Sequence, residues 1–275
     1  MYRSNREFNY ARKAAFNALS YCIEKCFYKK GVTEKAFSEL WIKEIQQDND
    51  IIENGWYCPP PMGIAVLSGS PKHPSRINYD SLRNPEFWPQ DREINWYEDL
   101  FYVYYSPLSV KSNRPGDISV TLYFGDDAGI REHFKKTHAV TVEILKGIEV
   151  CNSSVDLFSL YLNLLNENGL LGCGLSSTDP ALTNIGHTLP IIDLNGENSL
   201  SDNQRKEISN ARRFINGVTS WTFDEDMQFT VEPQLMSSLN PELPQISYHY
   251  LACKKNAKIN VCDDVDILLN KFDLI

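Results

Sequence analysis

The sequence predicts an α+β protein: a single domain over residues 1–275, built from two similar halves of about 9–110 and 111–275. Three observations lead there. A helix, a glycine turn and a second helix occur near the N-terminus, followed by strand-like residues. The same order of elements returns after residue 130. Hydrophobic residues make up 42% and charged residues 23%, the balance of a globular chain long enough for a large core.

From Asn9 to about Tyr28, Ala14, Phe16, Leu19, Cys22, Ile23 and Cys26 recur at helical spacing. Lys29 and Lys30 suit the negative end of that helix, and Gly31 suits the left-handed position that ends it. Thr33 then caps a second helix that has Glu34 in its first turn and runs to about Gln46. In the second half a helix spans about Arg131 to Leu145 and closes at Gly147. Another spans about Ser154 to Asn166 and ends at Gly169. Strand-like segments follow each pair: "GIAVLSG" after the first and "GLSSTDPALTNIGHTLPIID" after the second.

Between the pairs lies a region rich in aromatics and proline, with Trp56, Trp88, Trp96 and the run Tyr102–Tyr105. These residues read as core and loop anchors, in strands or in loops over a pocket. A Pro115-Gly116-Asp117 turn leads the buried strand of "GDISVTLYFG". Three more strands come from "DEDMQFTVEPQL", "QISYHYLACKK" and "KINVCDDVDILL". The polar stretch "GENSLSDNQRKEISNARRFINGV" has helical spacing and reads as an exposed helical insertion.

Composition also excludes several function classes. A net charge of −9 argues against a nucleic-acid partner. No apolar run reaches membrane-spanning length, and "MYRSNREFNYARKAAF" lacks the apolar core of a signal peptide, so a cytoplasmic location is expected. The seven cysteines match neither a zinc knuckle nor a disulfide framework and read as buried reduced thiols. Phosphate loops, zinc-finger pairs and serine nucleophile elbows have no counterpart in the sequence.

Four segments carry a family resemblance. "KKGVTEKAFSEL" looks like the helix turn of the methionine aminopeptidase, prolidase and creatinase superfamily, and "RPGDISVTLYFG" like its Gly-Asp strand. "NIGHTLP" is similar to its histidine segment, and "DEDMQFTVEPQL" to its "iEP" strand. The four occur in family order from Asn9 to about Val261. The resemblance implies a pita-bread fold, with two pseudo-symmetric αβ halves around a curved antiparallel sheet. It also implies a centre where two Asp, one His and two Glu hold two divalent metals that activate a bridging water.

Carried over position by position, the resemblance places His187 on the histidine ligand and Glu232 on the first glutamate, the two residues expected to be catalytic. The first aspartate position falls on Leu122 or Tyr123, with Tyr123 a candidate substrate contact. The second falls near His133 or Phe134, and the last glutamate on Tyr248 or His249. A standard dinuclear aminopeptidase site cannot be built from this set. Three outcomes remain open. His133, His187, His249 and Glu232 could hold one divalent metal (Fe, Mn or Zn) in an enzyme acting on a small peptide or amino-acid-derived substrate. The cavity could instead be a catalytically inactive peptide- or protein-binding pocket. Lastly, Asp126, Asp127 or Glu132 could rebuild a metal centre, although "FGDDAG" reads as a solvated turn. His73 is set against the family's substrate-contacting histidine, and His138 is expected on a helix surface. No membrane partner is expected, and a homodimer is compatible with the sequence.

Overall fold

The computed structural model describes residues 9–52, 54–57, 60–72, 84–174, 178–192, 194, 197 and 199–275. Cys58 and His73 lie outside the described residues. Helix α1 (Tyr10–Cys26) turns at Gly31 (φ +75°) into α2 (Glu34–Ile45), where the Thr33 hydroxyl accepts a hydrogen bond from the Ala36 amide. The pair is locked by burial of Phe16, Leu19, Phe37 and Trp41, and the Trp41 indole donates to the Ala15 carbonyl at 3.0 Å. Strand β1 (Ile64–Gly69) pairs antiparallel with β2 (Leu100–Tyr105), and β2 pairs antiparallel with β5 (Ile118–Tyr123). Between them, β3 (Leu108–Ser109) and β4 (Arg114–Pro115) form a short ribbon. All three longer strands are buried along their whole length, which explains their lack of polar alternation.

The second half repeats the order. Helix α3 (Ala128–Gly147) begins three residues before the sequence pattern suggests, because Asp127 caps it by accepting from the Ile130 amide. Helix α4 (Ser154–Glu167) starts with a reciprocal capping box between Ser153 and Asp156. Strand β6 (Leu170–Gly172) follows, then β7 (Thr188–Leu189), the exposed insertion helix α5 (Asp202–Asn210), β8 (Gln228–Val231) and β9 (Gln234–Ser237). Next come β10 (Ile246–Ser247), β11 (Tyr250–Lys255), β12 (Lys258–Val261) and α6 (Asp264–Lys271). One sheet runs β10-β9-β6 and another β12-β11-β8-β7. Pro233, with no amide proton to give a ladder, sits where β8 passes into β9.

Two expectations need correction. "KINVCDDVDILL" is not one strand: Lys258–Val261 is extended, but the rest is helical because Val265, Leu268 and Leu269 bury one face at helical spacing. The long segment after Gly172 contributes only the two residues of β7 as strand among those described.

Strand β5 follows residue 111 yet completes the first sheet, and it also joins the second half. Val120 bridges Tyr248, the His249 amide donates to the Ser119 carbonyl at 3.1 Å, and the Ser247 amide donates to Thr121 Oγ1 at 3.0 Å. The resulting antiparallel framework places the ends of β5, β8 and β10 beside one another. Among the described residues, no helix is long and apolar enough to cross a membrane.

Candidate functional site

His187 and Glu232 sit on neighbouring segments. The His187 amide donates to Thr230 Oγ1 at 2.9 Å, the Thr230 amide to the His187 carbonyl at 2.8 Å, and the Glu232 amide to the Ile185 carbonyl at 2.8 Å. So close an approach depends on Gly186. Its φ is +146°, and a Cβ there would lie 2.0 Å from the Thr230 carbonyl oxygen. The glycine of "NIGHTLP" is therefore what seats the histidine. His187 Nε2 lies 3.6 Å from Glu232 Oε1 and 3.5 Å from Asp117 Oδ2, and its Nδ1 lies 3.1 Å from the Thr188 carbonyl. A carbonyl can only accept, so Nδ1 carries the proton and Nε2 turns its lone pair to the two carboxyl groups.

Asp117 enters from the start of β5 and His249 from between β10 and β11. His249 Nδ1 lies 3.3 Å from Glu232 Oε2, without hydrogen-bonding alignment. Asp117 Oδ1 and both ring nitrogens of His249 have no hydrogen-bond partner among the described residues. Beneath them is Arg12 of α1, which is fully buried. Its Nε donates to Asp264 Oδ2 of α6 at 2.7 Å, and its two terminal nitrogens donate to the carbonyls of Asp117 and His249. One guanidinium thus ties both halves together directly behind the site.

A second guanidinium belongs to Arg212. Arg212 stacks over Trp56, Tyr57 and Phe214 at 5.6, 5.6 and 5.2 Å from their ring centroids. Its Nε donates to the Ser209 carbonyl and one terminal nitrogen to Thr178 Oγ1. Trp56 and Phe214 also meet the His187 ring edge-on, at 6.0 and 5.9 Å. The Trp56 indole donates to the Gly116 carbonyl at 2.7 Å, holding the turn that presents Asp117.

Burial dominates the electrostatics. It pushes Asp117 up to about 7 against the pull of Arg212 and Arg12. Glu232 also rises to about 7 by burial; the attraction of His187 opposes the rise and repulsion from Asp117 adds to it. Burial, then Arg212, lowers His187 to about 4, and burial with Arg12 holds His249 well below the usual imidazole range. Both imidazoles are therefore neutral at neutral pH, beside two carboxyls that burial raises towards neutrality.

No protein-family model matches the sequence, and no curated protein matches it. Solved structures do. A dipeptidase from Pyrococcus horikoshii superposes with a TM-score of 0.61 at 15% identity, covering 95% of this chain and 61% of that one. An X-Pro aminopeptidase from Thermotoga maritima gives 0.58 at 15% identity, covering 93% and 59%. A methionine aminopeptidase from Rickettsia prowazekii gives 0.55 at 15% identity, covering 95% and 98%. The chain has the pita-bread fold. It spans about three fifths of the length of the dipeptidase and the X-Pro aminopeptidase, and nearly the whole of the methionine aminopeptidase.

In this pita-bread chain the residues picked out from sequence separate. His187, Glu232 and His249 come together, joined by Asp117, which the sequence reading places only in a turn. His133 does not join them: it is buried on α3 with Nε2 3.0 Å from the Pro244 carbonyl. Leu122 is core, and the Tyr123 ring packs against Phe134 at 6.2 Å, so neither reaches His187. Asp126 and Glu132 are exposed, and Asp127 is spent on the α3 cap, so no carboxylate swings in from that turn. His138 is not a surface residue. It is half-buried, with Nε2 2.7 Å from Asp266 Oδ1 and 3.1 Å from the Tyr250 hydroxyl. That same aspartate accepts the Tyr250 hydroxyl at 2.7 Å. Burial would raise Asp266, but these two hydrogen bonds outweigh it and hold the carboxyl below its usual range.

The donor set does not fit a dinuclear metal centre. A bridging pair of ions needs several carboxylates, and this site offers Asp117 and Glu232. His187 and His249 approach opposite oxygens of Glu232, so the imidazoles flank a carboxyl group and do not share a centre with it. Among the described residues, no group of three or more His, Cys, Asp or Glu side chains is arranged to hold a metal ion.

Proposed function

We propose that this chain is a catalytically silent protein on a peptidase frame. Its central cluster of carboxyls, imidazoles and arginines organises a cavity that recognises a small peptide or amino-acid-like ligand without hydrolysing it. The observation that carries this reading is the placement of the two imidazoles on opposite oxygens of Glu232. Hydrolysis on this frame needs a water held between two ions, and two carboxyl groups near neutrality are too few anions to hold them. Trp56, Tyr57, Phe214 and Arg212 would supply apolar surface and a fixed cation for such a ligand. The test is turnover of N-terminal-Met and Xaa-Pro peptides with added Mn(II), Co(II), Zn(II) or Fe(II), alongside quenching of tryptophan fluorescence by the same peptides. Quenching without turnover is expected, and metal-dependent cleavage would refute the reading.

A second reading, a mononuclear metal enzyme, has its own support. The Nδ1 contact of His187 to Thr188 leaves Nε2 as a lone pair, the tautomer used by metal-binding histidines, and Asp117 Oδ1 and His249 are unpartnered. Retention of about one divalent ion per chain after gel filtration in buffer without added metal would favour it.

A further inference from the structure

Around His187 the chain is short of hydrogen-bond donors. Nδ1 donates to the Thr188 carbonyl, so Nε2 presents a lone pair. Asp117 Oδ2 at 3.5 Å and Glu232 Oε1 at 3.6 Å face that lone pair, too distant for a well-formed hydrogen bond. Tyr104 gives Asp117 one side-chain hydrogen bond, yet Asp117 Oδ1 stays buried without a partner among the described residues. The Thr230 hydroxyl lies 3.5 Å from Glu232 Oε1, and its single proton is shared with the His187 carbonyl at 3.3 Å. Buried acceptors left without donors are costly, and here they come from three segments of the chain.

The chain's own cations do not fill the gap. Arg12 donates to Asp264 and to two backbone carbonyls, and Arg212 to Ser209 and Thr178. Among the described residues, no Lys or Arg side chain forms an ion pair with Asp117 or Glu232, whose ion-pair contacts are to imidazoles. A water brings two donors and no charge, and an amide adds a carbonyl that would oppose the lone pairs. A primary ammonium group brings three N–H donors, one positive charge and no acceptor. That is the complement of one imidazole lone pair and two carboxylates.

We propose that this site takes the primary ammonium group of its ligand, seated among His187 Nε2, Asp117 and Glu232 and held by these side chains without a metal. This rests on the reading of the cavity as a pocket for an amino-acid-like ligand, and deepens it by naming the end that enters. Glu232 Oε2 faces His249 Nδ1 at 3.3 Å, so the ammonium group meets Glu232 through Oε1. Trp56 and Phe214 stand edge-on to the His187 ring and flank the approach. A site whose buried groups are matched to N–H donors rejects an analogue that lacks them.

The experiment titrates the dipeptides Met-Ala and Ala-Pro, their N-acetyl forms, n-butylamine and n-butanol into the wild-type chain in EDTA. Binding is read by calorimetry and by tryptophan fluorescence, since the Trp56 ring lies 6.0 Å from that of His187. N-acetylation should weaken dipeptide binding at least ~10-fold, and n-butanol should not compete with a bound dipeptide. Competition by n-butylamine would show that the ammonium group suffices; binding by dipeptides alone would assign it to a peptide N-terminus. Asp117→Asn and Glu232→Gln should each lose at least ~10-fold in affinity for the free dipeptide, while Ser153→Ala, remote from the site, keeps it. If one of the two site variants fails to fold, the other and the acetylated peptides decide. Equal affinity for free and N-acetyl dipeptides would overturn the proposal, as would folded site variants of unchanged affinity. So would a failure of the dipeptides and n-butylamine to bind. Equal affinity without cleavage leaves the silent-protein reading standing. Cleavage once metal is added removes that reading, while the affinities in EDTA still decide the ammonium site.

Discussion

Replacing Arg12 by methionine tests whether the site is held from behind by one guanidinium. The side chain makes an ion pair to Asp264 at 2.7 Å and donates to the carbonyls of Asp117 and His249, all with no exposure of its own. Breaking a buried pair by removing one partner costs about 3–5 kcal/mol, and each carbonyl left unpaired costs about 1–3 kcal/mol more. Those terms do not add in full. Asp264 is 8% exposed and can recover water, and methionine fills part of the arginine's volume. A loss of about 4 kcal/mol follows, a large share of a stability of about 5–15 kcal/mol. Urea denaturation of Arg12→Met, Asp264→Asn and the double variant measures it. Asp264→Asn should cost less than Arg12→Met, because its amide oxygen can still accept from the guanidinium. The coupling between the two should be about 2 kcal/mol or more. A loss below about 1 kcal/mol for Arg12→Met, with an unchanged denaturant slope, would refute the argument.

The other predictions are shorter. Gly186→Ala puts a Cβ 2.0 Å from a backbone oxygen in a left-handed position, so it should cost more than about 3 kcal/mol or prevent folding, read by the urea midpoint. Ser153→Ala removes the α4 capping box and should cost about 1 kcal/mol by the same measurement, a control remote from the site. In the fold Asp117 and Glu232 keep protons that the unfolded chain releases above their ordinary values of 3.8 and 4.5, so their contribution to stability falls as pH rises towards about 7. His187 works oppositely: its contribution is whole above 6.5 and is lost as pH falls towards about 4. Glu232→Gln removes one side of that balance. Its melting temperature relative to wild type should rise between pH 5 and pH 8, by on the order of 2 kcal/mol of stability, and a difference independent of pH would contradict the assignment.

What the sequence reveals about this fold follows from how local each signal is. Both helix pairs are legible because their ends carry their own chemistry: Gly31 with Thr33 in one, Gly147 and Gly169 in the other. His187 and Glu232 were legible from the short motifs around them. The α6 helix hides in the sequence because Ile259 and Val261 run on to Val265, Leu268 and Leu269 with no glycine or proline to mark the break. The family spacing points to His133, but the turn after β5 is short and Asp127 starts a helix there, so that position falls on α3. Asp117 and Arg12 are the instructive omissions. The sequence places Asp117 in a turn, and only the register of β5 against the second half sets it beside His187. Arg12 did leave a mark, because it precedes Phe16, Leu19 and Ile23 at helical spacing and so falls on the buried stripe of α1. A cation on an apolar stripe must find anions or carbonyls inside the protein, since water cannot reach it. Its partners are separated from it by 105, 237 and 252 positions, so no local pattern could name them, although the need for such partners was already written in α1.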